Sequence, residues 1–309
     1  MRTILMTLLL LGSFLIGRAQ EGNFVENDML ANMKPGDKAA LLMVHFGTSF
    51  DETRSLTIDA LNAKAKEAFP ELEVREAYTS RMIIHKLKKQ GIEKKTPMEA
   101  LFSLRSEGYT HVVVQSSNII NGVEMDLLRV EVQSLAPFFT DIRVGEPLLY
   151  SVEDSKKVVE ILTERHAPDT NVKKSKEHVV LVGHGTYVPS TATYSQIDYM
   201  LHAEGYTNFH VGTIEGYPTF DTMLAQLKEA KAKSVTLVPF MFVAGDHAHN
   251  DIAGEWKEAL EGEGFTVNAC MEGLGQVPEI QDIFIDHIRF SLTHRGISLV
   301  KKHASDLKW

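Results

Sequence analysis

From Lys38 onward the chain alternates short β-branched apolar runs with longer stretches in which apolar residues recur at helical spacing. That alternation is the pattern of parallel strands joined by helical crossovers. Strands are predicted over Ala39 to Phe46, Glu73 to Tyr78, His111 to Ser116 and Asp141 to Val144. A second set follows over His178 to Val182, Phe209 to Ile214, Ser234 to Pro239 and Thr266 to Ala269. Runs such as Val112-Val113-Val114 and Val179-Val180-Leu181-Val182 are apolar at consecutive positions, as a sheet covered by helices on both faces requires. Helices are predicted near 51–68, 81–90, 97–107, 123–136, 152–165, 190–204, 219–231, 250–262 and 278–293.

The two halves resemble each other. Leu42-Met43-Val44-His45-Phe46-Gly47-Thr48 can be laid on Val180-Leu181-Val182-Gly183-His184-Gly185-Thr186, and Asn118 to Glu124 on Met241 to His247. Both matches keep their order within a half, which predicts two similar four-stranded lobes facing each other across a cleft. The polar stretch Pro168 to Glu177 divides them into an N-terminal α/β lobe, 38–168, and a C-terminal α/β lobe, 177–309. One continuous sheet with chance similarity is the other reading of the same pattern.

Composition fits a packed protein: of 309 residues, 44% are hydrophobic and 24% charged. Residues 1–19 read as a secretory signal peptide, with Arg2, an apolar run from Ile4 to Ile16, and small residues Gly17 and Ala19 at a cleavage site. That implies an exported, periplasmic protein, soluble after signal cleavage; a retained membrane anchor is the alternative. Cys270 is the only cysteine, so no internal disulfide is available. Removing Arg2 and Arg18 with the leader takes the formal net charge from −9 to about −11. Such a balance argues against nucleic acid as a partner. An anionic ligand would depend on local cations such as Arg81, Lys86, Lys88 and Lys89, which otherwise read as a solvated helix face.

Ligands of open parallel sheets bind beyond the carboxyl ends of the strands. Three residues able to bind a metal fall there in the second half: His184 after Val182, Glu215 after Ile214, and His247 beyond Pro239. Any one alone reads as a structural group; three at successive strand ends read as a site. Two imidazoles and a carboxylate suit Fe(II), Co(II), Ni(II) or Zn(II), and a one-sided set leaves positions open for a ligand that takes the metal away. In the first half Phe46 stands at the position of His184 and Glu124 at that of His247, so one site per chain is expected, with Glu124 as an auxiliary proton acceptor or a surface carboxylate. Phe240, Met241 and Phe242 would wall a flat macrocycle or simply fill the core. His249 is a further candidate beside His247, although alternate positions on a loop need not face one centre, while His45 and His85 show no partner and read as structural. A P-loop, a dinucleotide fingerprint and a hydrolase nucleophile elbow are all missing from the sequence.

Taken in order, Phe46-Gly47-Thr48-Ser49, Tyr78-Thr79-Ser80 with Met82-Ile83-Ile84, Gln115-Ser116 with Ile119-Ile120-Asn121-Gly122-x-Glu124, Gly183-His184-Gly185, Glu215-x-Tyr217-Pro218, Gly245-Asp246-His247-Ala248-x-Asn250-Asp251 and Gly273-Leu274-Gly275 resemble the anaerobic sirohydrochlorin cobaltochelatase family. The likeness runs from about Ala39 to His294. It implies a class II chelatase fold of two flavodoxin-like lobes with parallel sheets around a tetrapyrrole cleft, working without ATP. It maps the metal-binding histidines and carboxylate onto His184, His247 and Glu215, and a further carboxylate onto Glu124. The implied reaction is sirohydrochlorin plus Co2+ giving cobalt-sirohydrochlorin and two protons, with Fe2+ as the other candidate metal. His45 and Gly216 depart from the residues expected beside two of the motifs. Export leaves a second reading open, a haem- or tetrapyrrole-binding protein for uptake that uses the same fold, with an envelope uptake partner; a homo-oligomer is compatible with either.

Overall fold

Alternation along the strands sorts the apolar side chains into three cores. In the first sheet Leu41, Met43 and Val113 point one way, and Ala40, Leu42, Val44, Val112 and Val114 the other. In the second sheet Val179, Leu181, Phe209 and Val211 join the first set, while Val180, Val182, Val235 and Leu237 form a set of their own. One core is therefore shared by both lobes, and each sheet has an outer core beneath its own helices.

The computed structural model describes residues 23–167 and 176–297. The predicted leader and most of the predicted linker lie outside the described residues. The first sheet holds β2 (Ala39–His45), β3 (Glu73–Tyr78), β4 (His111–Ser116) and β5 (Asp141–Val144), in the order β3-β2-β4-β5. The second holds β6 (Glu177–Gly185), β7 (Phe209–Glu215), β8 (Ser234–Pro239) and β9 (Thr266–Ala269), in the order β7-β6-β8-β9. All pairings in both sheets are parallel and the two orders are equivalent, as two similar α/β lobes require.

The helices are α1 (51–68), α2 (Arg81–Lys89), α3 (Pro97–Ser106), α4 (Val123–Leu135), α5 (Val152–His166), α6 (Ala192–Ala203), α7 (Phe220–Glu229), α8 (248–262) and α9 (Pro278–Thr293). Their starts have local causes. Ser80 and Thr219 accept hydrogen bonds from Ile83 and Thr222 backbone N–H groups, and Thr96 with Glu99 and Ser151 with Asp154 form capping boxes. Ser55–Asp59 within α1 and Ala248–Trp256 within α8 are wound as π-helix.

Three features differ from the sequence reading. β6 runs on to Gly185, because Gly183 and Gly185 continue the ladder opposite Thr213 and Glu215, so His184 sits inside the strand rather than after it. A short antiparallel pair, β1 (Phe24–Glu26) with β10 (His294–Gly296), was not predicted. Finally α9, last in the second half, packs against β4 of the first sheet as well as α1 and α5. Buried Arg143 secures that crossing by donating to the carbonyl oxygens of Asn27, Ser291 and Leu292. Among the described residues no helix is long and apolar enough to cross a membrane.

Candidate functional site

Each sheet presents a side chain to the cleft by the same local device. Gly47 and Gly185 follow the equivalent residues Phe46 and His184, and both take left-handed backbone, φ +101° and +84°. A Cβ would be strained there and would also collide, since one added at Gly47 would stand 2.4 Å from the Tyr78 ring and one added at Gly185 only 1.4 Å from the Glu215 carbonyl oxygen. The preceding side chains, Phe46 and His184, both line a cavity of about 340 Å³ between the lobes. Glu124, in the first turn of α4, and His247, at the N-cap of α8, complete a second equivalent pair on the same cavity. A helix N-terminus favours the carboxylate placed on it.

The two imidazoles meet. His184 and His247 have ring centroids 4.7 Å apart at an interplanar angle of 83°. His184 Nδ1–H donates to the Gly185 carbonyl at 3.2 Å, and His247 Nδ1–H donates to Asp251 Oδ2 at 2.5 Å. In the neutral ring each bond leaves the lone pair on Nε2, the arrangement in which a second protein group orients a metal-ligating histidine.

Glu215 does not join them. It is exposed, lies outside the cavity lining, and pairs in register with Gly185. Among the described residues no group of three His, Cys, Asp or Glu side chains stands close enough to hold a metal ion. Of the three predicted residues the structure brings the two histidines together, and the carboxylate sharing their cavity is Glu124.

The apolar wall is present. Phe240, Met241 and Phe242 all line the cavity, and Phe240 and Phe242 are buried as well, so they serve core and wall together. Phe240 meets Tyr194 edge-on at 6.0 Å. Burial, with Glu124 in electrostatic reach, pushes the Tyr194 hydroxyl up to about 12. At the mouth Phe46 and Met82 leave apolar surface exposed, 44% and 60%. Lys86 of α2 spans the lobes to Asp246, next to His247, at 3.1 Å, so this cation is engaged rather than free for a ligand. His85 is exposed.

Sequence comparison decides the family. Residues 39–293 match the cobalt chelatase (CbiK) family. The chain belongs to that family. It is a metal chelatase by enzyme class. It is 36% identical over 273 residues to the sirohydrochlorin cobaltochelatase of Salmonella typhimurium, covering 87% of this chain and 100% of the relative. It is 32% identical over 262 residues to sirohydrochlorin cobaltochelatase CbiKC of Nitratidesulfovibrio vulgaris, covering 82% and 90%. The fold is that of SirB from Bacillus subtilis, solved with Fe3+, at TM-score 0.58 and 16% identity over 82% of this chain and 96% of that one. The same fold occurs in CbiX, at TM-score 0.53 and 18% identity, covering 82% and 100%.

Within this cobalt chelatase, three residues at or beside the cavity were given no role by the sequence reading. Asp251 holds His247, a contact legible in hindsight from i,i+4 spacing on a helix. His45 and Ser117 line the cavity and bond to each other, although His45 read as structural. Those two are far apart in sequence, and only the β2–β4 pairing brings them together.

Proposed function

We propose that this protein inserts a divalent metal, Co2+ or else Fe2+, into a tetrapyrrole such as sirohydrochlorin, without ATP. The observation that carries the reading is the pair of facing imidazoles, His184 and His247, each with Nδ1 engaged by the protein, in a cavity walled by Phe240, Met241 and Phe242. The names of the Salmonella typhimurium and Nitratidesulfovibrio vulgaris relatives support sirohydrochlorin and cobalt as substrates.

In this reading the metal substrate docks on Nε2 of His184 and His247. Glu215, exposed at its strand end, swings in to complete the set. The incoming macrocycle lies against the apolar wall and replaces the protein ligands one by one, which a one-sided site permits. Glu124 accepts one of the two protons that leave the pyrrole nitrogens. The segment Met1 to Ala19 supports export to the periplasm.

The rival reading, a tetrapyrrole carrier for uptake, is separated by turnover. Sirohydrochlorin and Co2+ supplied in excess of protein are expected to yield more metallated product than there are protein molecules. Stoichiometric haem binding with no insertion would favour the carrier instead.

A further inference from the structure

The cavity wall contains a buried polar chain for which metal binding has no use. His45, at the end of β2, is 1% exposed and borders the cavity beside Ser117. Its Nδ1 lies 2.9 Å from Ser117 Oγ and its Nε2 3.0 Å from Asn62 Oδ1. The far end of the chain fixes its direction. Asn62 Nδ2 donates to Glu76 Oε2 at 3.1 Å, so the atom facing His45 is the amide oxygen, which only accepts. Nε2 of His45 therefore carries the proton, the lone pair is on Nδ1, and the Ser117 hydroxyl donates to it.

The ring is held in that orientation by aromatic neighbours. Phe242 stacks on it at 6.0 Å and 22°, and Tyr78 meets it edge-on at 6.2 Å and 85°. Glu76 stands behind Asn62 as a negative charge, itself paired with Lys94. Desolvation lowers the His45 imidazole to about 4, with Lys94 acting in the same sense and Asn62 and Glu76 opposing, so the ring rests neutral with its Nδ1 lone pair open to the Ser117 hydroxyl.

We propose that Ser117 and His45 together take up one of the two pyrrole protons displaced when the metal enters the macrocycle. The inference rests on the metal-insertion reading above. The pyrrole N–H bond breaks and its electron pair stays on nitrogen to bind the metal. A new O–H bond forms at Ser117 as its original O–H bond breaks, and that proton forms an N–H bond at His45 Nδ1. The resulting imidazolium donates from Nε2 to Asn62, with Glu76 behind it as counter-charge. After the product leaves, the proton returns through Ser117 to water. Glu124, on the same cavity, takes the other proton.

The test compares full-length wild type with Ser117→Ala, Ser117→Thr and His45→Gln in Co2+ insertion into sirohydrochlorin. Ser117→Ala and His45→Gln should lower kcat by on the order of 100-fold, within the usual range for a lost proton-transfer group, with KM for both substrates unchanged. Ser117→Thr, which keeps the hydroxyl, should recover most of the rate. An unchanged kcat, or a loss confined to KM, would overturn the proposal. Ser117→Ala removes a single oxygen, so it tests the relay even where the larger change at His45 unsettles the fold. A readout independent of activity is 15N NMR of the histidine rings, expected to show His45 protonated at Nε2 and bare at Nδ1. The opposite tautomer overturns the relay whether or not the protein inserts metal. Failure of the wild type itself to insert metal overturns the underlying reading, and shows before any variant is compared.

Discussion

His184 and His247 stand 63 residues apart in sequence, yet their rings meet at 4.7 Å and 83° on the wall of the inter-lobe cavity. β6 brings one and the start of α8 the other, and neither imidazole is held by the other. Replacing either ring should remove metal capture while leaving the sheets intact. His184→Ala and His247→Ala are each expected to lower the insertion rate by at least about 100-fold, with circular dichroism unchanged. Isothermal titration with Co2+ alone should show the same loss of binding.

Asp251 orients His247 through the 2.5 Å bond to Nδ1. Removing its charge should weaken the metal site without taking away a ligand. Asp251→Asn is expected to cost about 10- to 100-fold in Co2+ affinity, the usual effect of losing such a partner. Affinity unchanged from wild type would show that the bond is only structural.

The two carboxylates should separate by role. Glu215→Gln removes a charge exposed at the end of β7, and Glu124→Gln one that borders the cavity. Co2+ titration should show the affinity falling for Glu215→Gln, whereas Glu124→Gln should keep the affinity and lose kcat. The reverse result would make Glu124 the third ligand and leave Glu215 outside the site.

Stability should fall on mild acidification because two imidazoles are buried uncharged. Burial lowers His45 to about 4 and His210 to about 3; His210 is also bonded to Gln226 Oε1 and to His178. The unfolded chain binds these protons near 6.5 while the folded chain does not, so stability is fully present above about pH 6.5 and drains away as pH falls toward the folded values. The loss is on the order of 2 kcal/mol for each histidine between about pH 8 and about pH 5. Urea unfolding at the two pH values checks the slope, and His210→Asn should flatten it.

The sheets were legible because their strands are apolar at consecutive positions, and Phe46 and His184 because the flanking glycines recur in both halves. Register was not legible. Spacing placed Glu215 at the right edge of the sheet, but its pairing with Gly185 is a register between distant segments that no local pattern encodes. The same holds for His45, whose partners Asn62 and Ser117 come from α1 and from the end of β4. The β1–β10 pair joins segments of three residues from opposite ends of the described chain, too short for any periodicity to register.

The most direct measurement is the ATP-free time course of Co2+ insertion into sirohydrochlorin, followed by absorbance, for wild type beside a variant carrying both His184→Ala and His247→Ala. Wild type should run well ahead of the protein-free control, and the double variant should match that control. Equal rates for wild type and control would contradict metal insertion by this protein, and a double variant as fast as wild type would contradict the imidazole pair as its site.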